Sequence, residues 1–259
     1  MGAMPRRADD QRSAAERLFA VLDAFDVDDA AVLTATELGM RVQLPVSTAH
    51  RLAEQCVAWG GLERAPGGGY QVGAKLWLLG LRSNRIPLLR RVAAPVLEQL
   101  HESTGHQVQI AVRDASTALC LRFLPNRDVV NERAWLGWNV PYHCTGVGLV
   151  LLAYADDEVV DAALAAPLRR FTAKTVTAPS AVRARLAQVR RAGFVRTREE
   201  YMAGANTIAV PIRDGAGHLM AALSMIIPSG VFDDAQYDDA LVRAGAAISA
   251  ELGWTESAD

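Results

Sequence analysis

The chain has 259 residues, 51% of them hydrophobic, with a formal net charge of −2 at pH 7. That length and apolar content suffice for two domains with real cores. No apolar run approaches the ~20 residues of a membrane span and no signal-peptide pattern opens the chain, so a cytoplasmic protein with no membrane partner is expected. Three cysteines, Cys56, Cys120 and Cys144, are odd in number and far apart, which argues against a disulfide framework.

In chain order, Ser13-Ala14-Ala15-Glu16 has capping-box spacing and predicts a helix start. Leu18, Val21, Leu22 and Phe25 then form a helical stripe, and the acidic stretch to Asp29 reads as a loop. Residues 35–59 read as two short helices joined by a tight turn, with Pro45 suited to the first turn of the second helix. On that second helix Val46, Ala49, Ala53 and Cys56 recur at helical spacing and are expected to face a core. Ser47, Thr48, His50 and Arg51 point elsewhere. Hydroxyls suit phosphates, and Arg or His suits base edges in a major groove. Gly60-Gly61 ends the helix, and Pro66-Gly67-Gly68-Gly69 separates Leu62-Glu63-Arg64 from Tyr70-Gln71-Val72 as a two-stranded wing. This is the plan of a winged helix-turn-helix. Arg64 and Tyr70 flank the wing tip and are candidate backbone contacts to double-stranded DNA; a structural role for Tyr70 stays open.

Residues 1–80 carry eight Lys and Arg against ten Asp and Glu, so this half is not basic. Modest non-specific DNA affinity follows, because that affinity comes from phosphate neutralisation.

A domain boundary is expected near residues 80–87. A long helix follows with Leu89, Val92, Val96 and Leu100 on one stripe, Pro95 inside it and Thr104-Gly105 at its end. Alternation at Val108, Ile110 and Val112, and again at Leu119, Leu121 and Phe123, predicts two strands. Helices are expected from about Thr145 to Tyr154 and from Ser180 to Arg191, the latter burying Val182, Leu186 and Val189 and capped by Gly193. Asp214-Gly215-Ala216-Gly217 joins strands at Thr207–Arg213 and His218–Ile226, and a last helix carries Leu241, Gly245, Ile248 and Leu252. The fold class is therefore α+β: an N-terminal winged domain over 12–80, a linker at 81–87, and a second domain with an antiparallel sheet over 88–254.

Several strings in this order resemble bacterial transcription regulators of the isocitrate-lyase-regulator (IclR) family. They are Leu44-Pro45-x-Ser47-Thr48-x-x-Arg51-Leu52, Gly69-Tyr70-Gln71-Val72-Gly73, Pro141-x-His143-x-Thr145-Gly146-x-Gly148, Gly193-Phe194, Glu199-Glu200, Ile208-Ala209-x-Pro211 and Ala222-Leu223-Ser224. The resemblance covers roughly residues 12–252. It implies a GAF-like effector domain behind the winged domain, a pseudo-palindromic operator and a homodimer or homotetramer.

The resemblance also implies an effector pocket. Thr145, Gly146 and Val147 open a helix, where free N–H groups attract a carboxylate. Thr197, Thr207 and Ser224 match family effector positions, with Asn206 and Ile226 nearby. Some relatives that bind small oxo-acids carry a carboxylate or more hydroxyls where this chain has Thr197 and Ile226, and the family's usual Lys after the Gly-x-Gly unit is Leu149 here. With Phe123, Trp135 and Trp138 close in sequence, the expected ligand is an aromatic or mid-sized apolar molecule carrying at most one carboxylate. Two alternatives stay open: a pocket filled by its own tryptophans, and a second domain that only oligomerises.

An enzyme is not expected. His143 and Cys144 are adjacent, and neighbours in a strand point to opposite faces. His101 and His106 lack a ligand pattern, so neither metal nor cofactor is expected.

Overall fold

The computed structural model describes residues 12–25, 32–82, 85–124, 137–231 and 237–255. The chain folds as two compact units, residues 1–84 and 85–259.

In the first unit, helix α1 (Ala14–Asp23) begins at the expected capping box: the Glu16 N–H donates to Ser13 Oγ at 3.2 Å, and the Ser13 N–H donates to the Glu16 carboxylate at 2.6 Å. The expected acidic loop at Asp26, Asp28 and Asp29 lies outside the described residues. Helix α2 (Ala35–Arg41) starts at a second capping box, Thr34 with Glu37. Its end is tight. A side chain on Gly39 would stand 3.0 Å from the Leu44 carbonyl oxygen, and Gln43 takes a left-handed φ of 57°. The turn therefore needs a glycine where the two helices approach.

Helix α3 (Val46–Trp59) follows Pro45, which is its N-cap rather than a first-turn residue. Its buried stripe is Ala49, Leu52, Ala53 and Cys56. Val46, expected in the core, is 46% exposed because it lies at the helix start, beyond the edge of the small core; Leu52 is buried in that core. Gly60 ends the helix at φ 90°. Strands β1 (Leu62–Arg64) and β2 (Tyr70–Val72) pair antiparallel, and Leu33 adds a bridge to Tyr70. Helix α4 (Ala74–Leu81) was not expected. It buries no residue and exposes Trp77, Leu78, Leu79 and Leu81.

The second unit starts with α5 (Arg85–Thr104), so Ile86 and Pro87 are helical rather than linker. Ser83 and Asn84 lie outside the described residues. Its buried residues are Leu89, Ala93, Leu97 and Leu100, with the expected Val92 and Val96 only partly buried at the flank. Pro95 is exposed, so the hydrogen bond it cannot make is lost on the solvent side of a helix that continues through it.

The sheet comprises β3 (Gln107–Asp114), β4 (Thr117–Leu124), β5 (Asn139–Pro141), β6 (Val195–Arg198), β7 (Ala205–Arg213) and β8 (Leu219–Pro228). Its order is β5-β4-β3-β8-β7-β6, antiparallel throughout. One face packs on α5 and α9 (Asp238–Glu251), through Leu97, Ile110, Ile208, Leu223 and Ile248. The other packs on α6 (Gly146–Ala153), α7 (Asp157–Ala165) and α8 (Pro179–Ala192). Both faces are covered, which explains continuous apolar runs such as Ala221-Ala222-Leu223 in place of alternation.

Helix α6 is buried on every side, as its all-apolar sequence requires. It lies close to the sheet because Ala111, Ala118, Ala209 and Ala222 present small side chains to it.

Candidate functional site

Two surfaces carry the chemistry, one in each unit. In the first unit the outer side of α3 exposes Ser47, His50 and Arg51, with Thr48 half-buried. The inner stripe holds this helix on the core while the polar side faces out. Arg64 is half-exposed, but its guanidinium lies 2.8 Å from Glu54 and 5.0 Å from the centre of the Tyr70 ring.

Tyr70 itself corrects the expectation of a wing-tip contact. It is 1% exposed, and its hydroxyl donates to Glu54 at 2.8 Å. Burial, then the bond to Glu54, pushes its pKa up to about 12. The ring belongs to the core of this unit, in one buried cluster with Leu33, Leu52 and Leu62.

In the second unit a cavity of about 360 Å³ opens between the sheet and the start of α6. Its floor is a row across four strands: Gln107, Ile226, Thr207 and Thr197 are successive cross-strand neighbours and all line it. Thr145 and Gly146 form one wall. Trp138, Val140 and Cys144 form a second, and the loop from Tyr201 to Ala205 a third. Among the described residues, the lining contains no Lys, Arg, Asp or Glu.

The local sequence explains this shape. Thr145 caps α6, accepting from the Gly148 N–H at 3.1 Å and donating to the Pro141 carbonyl at 2.7 Å. The Gly146 and Val147 N–H groups stand in the first turn, where no intrahelical acceptor exists. A side chain on Gly146 would stand 2.5 Å from Thr207 Oγ1, so only glycine allows the helix end to reach the floor. Thr197 and Thr207 share a hydrogen bond of 2.7 Å. Tyr201 packs 5.0 Å from Phe171 and 6.5 Å from Trp138, centroid to centroid. Burial pushes the Cys144 thiol up to about 12, so it stays protonated. His143 Nε2 bonds instead with the Arg169 carbonyl at 2.9 Å.

Of the positions anticipated for a ligand, Thr145, Gly146, Thr197, Thr207 and Ile226 come together on this lining. Val147 does not join them; its side chain is buried in the α6 core. Asn206 is a correction. It neighbours Thr207 in β7, and successive residues of a strand face opposite sides, so it points toward the α5 and α9 layer. Its Oδ1 is buried with no partner among the described residues. Ser224 lies on the same face of the sheet as the cavity floor, one row further along between Gln109 and Ala209, but is 0% exposed, off the lining, and has its Oγ unpartnered among the described residues. Trp135 and the side chain of Phe123 lie outside the described residues.

Gln107, Gln109, Cys144 and Tyr201 line the cavity without having been singled out as ligand contacts. The alternation of β3 already put both glutamines opposite Val108 and Ile110, which was the available signal. Tyr201 sits in an irregular loop and offered none.

Comparison with known proteins decides the lineage. The family profile described as "Bacterial transcriptional regulator IclR C-terminal" matches residues 85–250, and that of the "IclR helix-turn-helix domain" matches residues 14–66.

The chain belongs to the IclR family of bacterial transcriptional regulators.

Among relatives within the family, the transcriptional regulator BhcR of Paracoccus denitrificans is 30% identical, over 91% of this chain and 86% of its own. The regulator XynR of Escherichia coli is 28% identical, over 92% and 96%. An IclR homologue from Microbacterium hydrocarbonoxydans, solved in complex with 4-hydroxybenzoate, is 37% identical with a TM-score of 0.80, over 91% of this chain and 97% of that one. This IclR protein is thus a DNA-binding transcriptional regulator, and its relatives are regulators rather than enzymes.

Proposed function

We propose that the protein is a one-component, cytoplasmic regulator whose second unit senses a small aromatic monocarboxylic acid. The observation that carries this reading is the uncharged cavity at the α6 start, lined by Trp138, Tyr201 and Ile226. Its apolar walls favour a ring, and the Gly146 N–H in the first turn of α6 suits one carboxylate. A second charge would find no counter-ion among the described lining residues, which disfavours dianions. The 4-hydroxybenzoate held by the Microbacterium relative supports the same ligand class.

In this proposal Ser47, Thr48, His50 and Arg51 enter the major groove, and Arg64 contacts the backbone beside it. Two copies bind a pseudo-palindromic operator, since paired half-sites mirror two-fold symmetry. The exposed apolar side of α4 supports assembly as a homodimer or homotetramer, because a helix that buries nothing in its own unit gains by burying its leucines against another copy. Effector binding then favours one arrangement of the assembly over another.

Thermal unfolding of the full chain against benzoate tests the sensor. A ligand at a hundredfold excess over its Kd adds about 2.7 kcal/mol, which moves Tm by a few degrees. No shift with any aromatic acid would leave the second unit as an oligomerisation domain.

A further inference from the structure

A groove of about 410 Å³ lies in the second unit where the ends of α6 and α8 meet β7 and α9, and neither the DNA surface nor the effector cavity uses it. Arg190 and Arg191 from the end of α8 and Arg213 from the end of β7 line it, with Tyr154 and Trp254 as aromatic walls. Among the described residues, this lining carries three arginines and no Asp or Glu. The effector cavity stands at the start of α6 and the groove at its end, about 12 Å along the helix. The two sites are therefore separate, and the groove does not depend on the effector reading.

The sheet leaves the space open. β6 pairs with β7 only over Val195–Arg198, opposite Ala209–Asn206. Among the described residues, no strand continues beside Val210–Arg213. An open edge ordinarily invites another strand. Here Pro211 has no N–H, and the Arg213 N–H already donates to Ser249 Oγ at 3.0 Å. The edge thus has little to offer a peptide, and side chains decide what the groove holds.

Two of the guanidiniums are held in place. Arg190 donates to the Ala153 carbonyl at 2.8 Å, which caps the end of α6. Arg213 donates to the Gly217 carbonyl at 2.9 Å, and its guanidinium centre stands 4.4 Å from the centre of the Tyr154 ring. Each keeps further N–H groups open, since a guanidinium has five. Arg191 makes no hydrogen bond or ion pair among the described residues. Complementing a helix dipole accounts for Arg190 and Arg191 one at a time. It does not account for Arg213, which is on a strand, nor for cations gathered on one lining without an acid. Such a cluster repels itself until an anion enters.

The number of arginines narrows the anion. A planar carboxylate has two oxygens, too few for three guanidiniums. A phosphate monoester presents three acceptor oxygens and nearly two negative charges, and arginine pairs with it bidentately. Arg213 covers Tyr154, so Trp254 with Val210 and Val242 is left for an organic body. We infer that this groove binds a small phosphate monoester, with the arginines on the phosphate and Trp254 against the rest of the molecule.

Calorimetric titration of the full chain with phenyl phosphate, and with phthalate as a planar dicarboxylate of similar size, tests the inference. Phenyl phosphate is expected to bind at least about tenfold tighter than phthalate. Arg191→Gln is expected to weaken phenyl phosphate by at least about tenfold, the loss of one charge-assisted contact. Arg191 holds nothing in its unit among the described residues, so the melting temperature of this variant stays at the wild-type value. Arg191→Lys, which keeps the charge but not the planar fork, is a second probe and falls between the two. Absence of phenyl phosphate binding overturns the site. So does unchanged affinity in folded Arg191→Gln, which places the ligand elsewhere. Phthalate binding as tight as phenyl phosphate overturns the phosphate assignment. None of these outcomes bears on the effector cavity, which the benzoate titration tests by itself.

Discussion

Arg51 and Ser224 show how differently a polar side chain acts on the two sides of a packed element. Arg51 stands on the exposed side of α3, where its guanidinium can form the bidentate contact that reads a guanine. Arg51→Ala is expected to weaken operator binding by about 1–3 kcal/mol, measured by fluorescence anisotropy on labelled operator. Unchanged affinity would remove α3 from the groove. Ser224 has the opposite setting. Its Oγ is fully enclosed and unpartnered among the described residues, so it bears a desolvation cost with no bond in return. Ser224→Ala is expected to leave chemical-denaturation stability of the ligand-free protein unchanged or raised by up to about 1 kcal/mol. A loss of more than that would mean the hydroxyl is satisfied in the folded chain. A bulkier residue is a poor probe here, because Ser224 packs beneath α6 and overpacking would disturb the whole cavity.

At the scale of elements, α4 and α6 are both strongly apolar, yet one is exposed and the other enclosed. Helix α6 has small residues on the sheet beneath it and glycines at its start, so it is surrounded. Helix α4 follows the wing with Trp77, Leu78, Leu79 and Leu81 uncovered within its unit. Leu81→Glu is expected to shift the protein toward monomer in sedimentation velocity and to reduce operator affinity in parallel, because dimeric half-site binding is lost. An assembly unaffected by the charge would place the interface elsewhere. Sequence patterns found α1, α3, α5, α8 and the β7–β8 hairpin, because capping boxes, helical stripes and Asp-Gly turns are local signals. They did not find α4, α7, β5 or β6. Helix α4 has no polar side to create a stripe, and β5 and β6 are three and four residues long, too short for alternation to register.

For the whole molecule, charge sets the terms of DNA binding. A chain of net −2, with an acid excess in residues 1–80, releases few counter-ions on a random duplex. Non-specific binding at physiological salt is expected at or weaker than the usual range of about 10⁻⁴–10⁻⁶ M, measured by anisotropy on scrambled DNA. Tight binding to scrambled duplex would mean that the acids are turned away and a basic surface dominates. In the proposed reading, operator recognition depends on two copies reading base edges together rather than on phosphate attraction.

The sequence by itself determined the two-domain α+β plan, the winged helix-turn-helix and its outer polar residues, because these follow from periodicity, capping and turn chemistry within short windows. It also carried Thr145 and Gly146 through a family string, Thr197 and Thr207 as matches to family effector positions, and Ile226 beside one. Only the tertiary structure decided which residues share the cavity. Register across β3, β8, β7 and β6 aligned Gln107, Ile226, Thr207 and Thr197 from segments up to 119 residues apart in number, Gln107 to Ile226. The pleat sent Asn206 to the far side of the sheet, and packing drew Tyr70 into the core. Strand register and burial depend on partners distant in the chain, and no local pattern records them.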